Sequence, residues 1–190
     1  MPSPNARTTE DAVSRYGRDI KAKFAALVLK AEPEDQLRNP LEDLLRSLAE
    51  AIQLRRDDVT LIGEASLAEI HSRPDFAVSV RGVQSGFIEV KRPGKGADPR
   101  RYSDKHDTDQ WKRLQTLPNL LYTDGQEFAL FHNGELFGDL IRLEGDVRTA
   151  GDALRAPEKL LAVIEEFLTW EPTPPTDAPA LAVTAAYCRS

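Results

Sequence analysis

The chain has 190 residues, 41% of them hydrophobic and 29% charged, which suits one globular domain with its own core and argues against wholesale disorder. Its formal net charge of −6 argues against a general nucleic-acid coat protein, and its single cysteine, Cys188, excludes an internal disulfide framework or a cysteine-based zinc site. No apolar run has membrane-spanning length and the first residues lack a signal-peptide pattern, so we expect a cytoplasmic protein with no membrane partner.

Two helices are predicted in the N-terminal part. Residues 1–9 are polar, and we expect them to be loose. Apolar residues then recur at helical spacing from position 10 to about position 30. A second helix is predicted to begin at Asn39-Pro40, because Asn is a good N-cap and Pro suits the first helical position. This start places Glu42 in the first turn of that helix.

Alternating apolar residues predict the strands that follow. They lie at 59–62, 75–80 and 86–91, with a turn over 81–86. On the third of these strands, Glu89 and Lys91 are two residues apart and therefore face the same side.

The spacing of the predicted hairpin leaves its register open. A symmetric turn centred between Val83 and Gln84 would set Asp75 opposite Arg92, whereas the twist of the ribbon or a β-bulge would bring Asp75 closer to Glu89. In both cases Asp75 lies at the same end of the sheet as Lys91. We therefore expect one site shared by these side chains.

The next predicted elements are a helix at 107–117 and a strand at 120–123, separated by Pro118. Trp111 and Leu114 are expected to face inward on this helix, with Gln110 one turn before Leu114. A strand–helix–strand connection implies that the strand at 120–123 pairs in parallel with the strand at 86–91.

Tight-turn sequences at Asp124-Gly125 and Asn133-Gly134 predict an antiparallel β meander after this core. A last helix is predicted from about residue 154 to 168. The expected organisation is a domain at 1–170, a proline-rich linker at 171–179 and the start of a truncated following element at 180–190. The chain is then expected to be a fragment of a larger protein.

Pro74-Asp75 followed by Glu89-Val90-Lys91 resembles the PD-(D/E)xK nuclease superfamily. The longer segments 73–78, 86–96 and 119–125 are similar to the N-terminal nuclease domains of large single-chain restriction-modification proteins, in which an adenine DNA methyltransferase follows. The resemblance implies an α/β fold of the restriction-endonuclease-like type. Its αβββαβ core has a mixed central sheet flanked by helices, extended here by the antiparallel meander.

The resemblance also implies a Mg²⁺-dependent DNA endonuclease, in which Mn²⁺ substitutes for Mg²⁺. Asp75 and Glu89 are the expected metal ligands, because Mg²⁺ prefers hard oxygen donors and keeps several waters. The metal would activate a water and neutralise charge on the phosphodiester, and Lys91 would orient or deprotonate that water. A surface ion pair between Glu89 and Lys91 is the alternative.

Two further residues are implied by the resemblance. Glu42 would be a helix-borne metal ligand, although an acid near a helix N-terminus also complements the helix dipole. Gln110 matches a catalytic glutamine that some branches carry on the helix after the ExK motif, although it could equally be an exposed helix residue. The histidines do not show metal-ligand spacing.

A basic segment directly follows the ExK motif. Its expected DNA-binding residues are Arg92, Lys95, Arg100, Arg101 and Lys105. An acidic protein with one basic segment beside catalytic carboxylates suits an enzyme that meets phosphates at one place. A solvated loop is the alternative.

The expected role is the restriction module of a larger restriction-modification or phage-defence protein. A methyltransferase and a target-recognition region would lie in the same native polypeptide, because nothing in this chain has the pattern of a base-recognition module. Two alternatives remain open at this stage. One is a repair or junction-resolving nuclease, and the other is an inactive nuclease fold that binds DNA or a protein partner.

Overall fold

A six-stranded mixed sheet with helices on both faces forms the protein, in a computed structural model that describes residues 4–26, 32–63 and 73–171. The helices are α1 (Pro4–Ala25), α2 (Asp35–Ala51), α3 (Lys105–Leu114) and α4 (Leu160–Thr169). The strands are β1 (Val59–Gly63), β2 (Phe76–Val80), β3 (Val83–Val90), β4 (Leu120–Thr123), β5 (Glu127–His132) and β6 (Glu135–Arg142). None of the helices in these ranges is long and apolar enough to cross a membrane.

The strands lie in the sheet in chain order, from β1 to β6. β3 and β4 are parallel, and every other neighbouring pair is antiparallel. The parallel pair is connected through α3, as the strand–helix–strand pattern predicts. The predicted αβββαβ core and the antiparallel meander after it are therefore confirmed.

Each face of the sheet covers its own hydrophobic core. α1, α2 and α4 pack on one face, and α3 packs on the other. The alternation along β3 follows this division, because Ile88 and Val90 enter the first core while Phe87 enters the second. Burial of each large apolar side chain contributes roughly 1.5–3 kcal/mol, so β3 is held from both sides. Glu89 and Lys91 consequently lie on the α3 face.

The helix α2 begins at Asp35 and not at Asn39-Pro40, so the predicted start is wrong. Pro40 lies inside the helix. Leu37 is fully buried, and a Cβ added at Gly125 would come within 2.9 Å of its Cδ2 atom. The burial of Leu37 in the first turn outweighs the loss of the helical hydrogen bond that Pro40, which lacks a backbone N–H, cannot donate. Glu42 therefore lies about two turns into the helix.

Three other element boundaries differ from the sequence-based expectations. α1 already begins at Pro4, within the segment expected to be loose, and α3 runs from Lys105 to Leu114. α4 begins at Leu160 and not near residue 154. The backbone of Arg155 exchanges two hydrogen bonds with that of Glu144, both of 3.0 Å, and is not available to a helix. The expected linker and final element lie, apart from residue 171, outside the described residues.

The hairpin between β2 and β3 turns at two residues, and not across 81–86 as predicted. Arg81 and Gly82 both have positive φ angles, 53° and 79°, which is the backbone of a tight two-residue hairpin turn. β3 consequently begins at Val83, earlier than expected.

A β-bulge at Ser85 sets the register of this hairpin. Val78 pairs with Gly86 while Ser79 pairs with Gln84, which leaves Ser85 as the extra residue of β3. Beyond the bulge Phe76 pairs with Ile88, and one more step in this register sets Asp75 across from Glu89. The pairing of Asp75 with Arg92, which a symmetric turn would give, does not occur.

The bulge is anchored by Asn119, directly before β4, and by α4. Asn119 Nδ2 donates to the carbonyl of Ser85 at 2.8 Å and to the carbonyl of Phe167 at 2.9 Å. The hydroxyl of Ser85 donates to the same Phe167 carbonyl at 3.2 Å. A Cβ at Gly86 would come within 2.7 Å of both Asn119 and Phe167, so only glycine allows this close approach.

Asp124 ties the loop after Lys91 to the turn between β4 and β5. Its carboxylate is buried and accepts four backbone N–H groups. Oδ2 accepts from Gly94 at 3.1 Å and Gly96 at 2.9 Å, and Oδ1 accepts from Gln126 at 3.0 Å and Glu127 at 2.8 Å. The start of the basic segment is therefore fixed relative to the sheet.

Replacing Asp124 by Asn should destabilise the protein by roughly 1–3 kcal/mol, because the Asn amide would point an N–H donor at the N–H groups of Gly94 and Gly96. Urea unfolding measures this change. The matched control is Asp146→Asn, at an exposed position whose carboxylate accepts from the Arg148 N–H at 2.8 Å. Equal effects of the two substitutions would show that the Asp124 network adds no particular stability.

Candidate active site

The carboxylates of Asp75 and Glu89 lie near one another, at the start of β2 and the end of β3. The Asp75 side chain is 18% exposed, and Glu89 is 3% exposed. Burial raises the pKa of Glu89 to about 7, against the charge of Lys91 and with a further contribution from the charge of Asp75. Burial also raises the pKa of Asp75. The two carboxylates therefore form a partly desolvated anionic pair.

Asp75 is held in place from two sides. Its Oδ2 accepts the backbone N–H of Val90 at 2.8 Å, and its Oδ1 accepts from Arg38 at 2.5 Å. Arg38 also lies 3.1 Å from Asp35 and stacks over the ring of Phe76. Sequence reasoning missed Arg38, because it placed this residue before α2 and not in its first turns.

Lys91 is surrounded by three oxygen acceptors. Its Nζ atom lies 3.0 Å from Glu89 Oε1, 2.9 Å from Asp107 Oδ1 and 2.5 Å from Gln110 Oε1. An ammonium group has three protons, so each one has a partner. Gln110 also donates from Nε2 to Glu89 Oε1 at 2.8 Å. The structure thus places Gln110 against Glu89 and Lys91 and not on the solvent face of α3.

Glu89 Oε2 is a buried carboxylate oxygen that has no hydrogen-bond partner among the described residues. A buried polar atom without a partner is costly, and in native proteins it commonly marks a site where another group binds. Carboxylate oxygens are ligands that Mg²⁺ and Mn²⁺ prefer. Glu89 Oε2, beside Asp75, is therefore a chemically suitable ligand atom for a divalent cation.

Two acids of the α2 region, Glu34 and Glu42, differ in their surroundings. The Glu42 carboxylate lies 2.8 Å from Arg46, one turn further along α2. Burial raises the pKa of Glu34 at the start of α2, with Lys91 opposing the shift and Asp75 adding to it. Glu42 was expected near the site from the resemblance alone.

A second group of potential metal ligands lies at the start of α3. Ligand atoms of Asp104, His106 and Asp107 all lie within 4.8 Å of one another, although the histidines lack metal-ligand spacing in the sequence. The carboxylates are already engaged: Asp104 accepts the Asp107 N–H and pairs with Lys95, and Asp107 pairs with Lys91 and Lys95. This group offers no free buried oxygen comparable to Glu89 Oε2.

Acidic neighbours neutralise most of the basic segment. Arg100 forms two bonds to Asp98, at 2.8 and 3.0 Å, and Arg101 lies 3.2 Å from the same carboxylate. Lys95 lies between Asp104 and Asp107, at 2.5 and 2.7 Å.

Arg92 and Lys105 differ from the other cations of this segment. Both are exposed, and their side chains have no ion-pair partner within the described part of the chain. They are the cations most accessible to a phosphate.

The fold is similar to that of a chain in the cryo-EM structure of a DrdV–DNA complex, with a TM-score of 0.51 and 19% sequence identity. The match covers 84% of this chain and 99% of that chain. No protein-family model and no curated protein matches the sequence. The mixed α/β fold of the restriction-endonuclease-like type, expected from the sequence, is thus confirmed.

The raised pKa of Glu89 predicts how the stability of the metal-free protein depends on pH. The pKa of Glu89 is about 7 in the folded protein and 4.5 in the unfolded chain, so the folded state binds the Glu89 proton more tightly. The contribution of Glu89 to the free energy of unfolding is therefore largest below about pH 4.5. This stability is lost as pH rises towards 7, by roughly 3 kcal/mol. In EDTA, Glu89→Gln should flatten the decline between pH 5 and 7 and raise the melting temperature at pH 8.

Glu158→Gln, at an exposed position, is the control and should leave the pH profile unchanged. A wild-type profile that keeps its slope in the Glu89→Gln variant would mean that Glu89 is not desolvated in solution.

Proposed function

We propose that the protein is a metal-dependent DNA endonuclease that hydrolyses phosphodiester bonds. The observation that carries this proposal is the buried, unpartnered Oε2 of Glu89, across the hairpin from Asp75 and beside the ammonium of Lys91. A divalent cation, a water and a phosphate are the groups that such an arrangement can accommodate. The likeness of the fold to a chain from a DrdV–DNA complex supports DNA as the partner.

Asp75 and Glu89 would hold Mg²⁺, or Mn²⁺ in its place. When bound, the metal would lower the pKa of a water and neutralise charge on the phosphodiester. The ammonium of Lys91 would orient the attacking water and stabilise negative charge on the phosphate, as preorganised cations do in buried sites. Gln110 would keep Glu89 and Lys91 at their present separation of 3.0 Å.

Glu34 is the acid of α2 that we propose as a third contributor, because its charge interacts with those of Asp75 and Lys91. Glu42, which the sequence suggested for this role, is bound to Arg46.

The proposed context is the restriction module of a larger restriction-modification or phage-defence protein. Residues 1–170 would form the nuclease domain, and a methyltransferase and a target-recognition region would supply target selection in the native polypeptide. The resemblance of the segments around Asp75 and Glu89 to single-chain restriction-modification proteins supports this context. The presence of Asp75, Glu89 and Lys91 together favours an active enzyme over an inactive binding domain.

Substituting Asp75, Glu89 or Lys91 by Ala should each reduce Mg²⁺-dependent DNA cleavage by about 10³-fold or more, because each removes a group that acts on the metal, the water or the phosphate. The measurement is cleavage of plasmid DNA, with the partner region that confers target binding present. Arg46→Ala is the control: it removes the partner of Glu42 and a hydrogen bond to the Val59 carbonyl, both away from Glu89, and should retain cleavage.

Wild-type cleavage by Glu89→Ala would refute the site. Preferential cleavage of four-way junctions over linear duplex would instead assign the protein to junction resolution.

The exposed cations predict how DNA affinity depends on salt. The double substitution Arg92→Ala/Lys105→Ala should weaken binding at low salt and reduce the log–log salt slope by about 0.9 for each lost phosphate contact. Arg100→Ala should change the slope less, because Asp98 already neutralises that guanidinium. Fluorescence anisotropy in Ca²⁺ or EDTA measures both, with Lys159→Ala as a surface control paired to Asp139. An unchanged slope in the double variant would show that Arg92 and Lys105 make no phosphate contact and that the segment is a solvated loop.

A further inference from the structure

Two lysines from the ExK strand and the loop after it converge on the carboxylate of Asp107, in the first turn of α3. Lys91 Nζ donates to Oδ1 at 2.9 Å, and Lys95 Nζ lies 2.7 Å from Oδ2. The Asp107 side chain is only 14% exposed. Burial works against its ionisation, but the two ammonium groups hold its pKa well below the ordinary range. Asp107 is therefore a half-buried charged group held by two lysines and not a fully solvated helix-start acid.

The position of the Lys91 ammonium is set largely by α3. Two of its three acceptors, Asp107 and Gln110, belong to this helix, and the third is Glu89 Oε1. Gln110 is neutral, so Glu89 and Asp107 are the two anions that share the ammonium. They attract it from different elements of the fold, one from β3 and one from α3.

The sharing of the Lys91 ammonium between Glu89 and Asp107 affects whether Glu89 Oε2 stays free of a partner. A lysine side chain is flexible, and its ammonium moves readily toward the strongest nearby acceptor. Without the charge of Asp107, Glu89 would be the one carboxylate of the described residues within ion-pair distance of the Lys91 ammonium. Its ammonium would then be drawn over the whole carboxylate, including the free Oε2 atom.

We propose that Asp107 is a positioning residue that holds the Lys91 ammonium on the α3 side of Glu89 and so keeps Glu89 Oε2 open to a divalent cation. This inference rests on the proposed function, since it assumes that the cation binds at Asp75 and Glu89. Asp107 acts through Lys91 and need not contact the cation.

A double-mutant cycle in Mn²⁺ affinity tests the inference, because it isolates coupling between two residues from the effect of either alone. Mn²⁺ binding is titrated by electron paramagnetic resonance of the free ion, using the wild type, Asp107→Asn, Lys91→Met and the double variant. Asp107→Asn should weaken Mn²⁺ binding about tenfold in the wild-type background and less than about twofold in the Lys91→Met background.

Two further variants separate charge from shape. Asp107→Glu restores the carboxylate and should recover most of the Mn²⁺ affinity. Asp109→Asn removes a charge from the same helix, at a position paired with Lys112 at the surface, and should leave the affinity within about twofold of the wild type. Asp104 remains as the N-cap of α3 in all of these proteins, and thermal melts check that each is folded.

An equal loss of Mn²⁺ affinity on Asp107→Asn in both backgrounds would overturn the inference, because Asp107 would then act as a ligand or a distant charge. No loss in either background would overturn it as well. A wild-type protein that binds no Mn²⁺ would refute the proposed metal site itself, and that outcome is distinct from the other two.

Discussion

One extra residue in β3 determines whether the two candidate metal ligands meet. The tight turn at Arg81 and Gly82 alone would pair Asp75 with Ile88, and Asp75 would then point to the opposite face of the sheet from Glu89. The bulge at Ser85 shifts the register by one residue and sets Asp75 across from Glu89. Because Asn119 and the end of α4 bind this bulge, the packing of a distant helix fixes the geometry of the site.

The charges around the site alternate in sign along a continuous chain of contacts. The order is Glu89, Lys91, Asp107, Lys95 and Asp104, and each member lies within 3.0 Å of the next. Such alternation lets several buried charges coexist, because each is close to opposite charge on at least one side. The residual cost falls on Glu89 and Asp75, whose pKa values are raised. Stability given up at one pair of carboxylates is typical of a site shaped by selection for activity.

Sequence reasoning succeeded where the signal is local and periodic. Apolar alternation located the strands, and Asn133-Gly134 located the last hairpin turn. It failed at the first turn of α2, because Pro40 is a strong local signal that the burial of Leu37 overrides. The sequence left the bulge as one of two possible registers, since its anchors, Asn119 and α4, lie elsewhere in the chain. Of the partners of Lys91 on α3, Gln110 was suggested by the resemblance, whereas Asp107 depends on tertiary packing, which no spacing within the motif specifies.

Because the bulge is anchored, the hairpin should accept inserted residues at its tip but not between the bulge and Glu89. An insertion after Gly82 lengthens the loop on the solvent side of Ser85 and leaves the pairing of Phe76 with Ile88 intact, and the adjacent Val83 is 68% exposed. The same insertion between Gly86 and Ile88 would exchange the faces of Glu89 and Val90. The hairpin tip is therefore a suitable attachment point for a fluorescent reporter or an affinity tag, while the four residues from Ser85 to Ile88 admit no change of length.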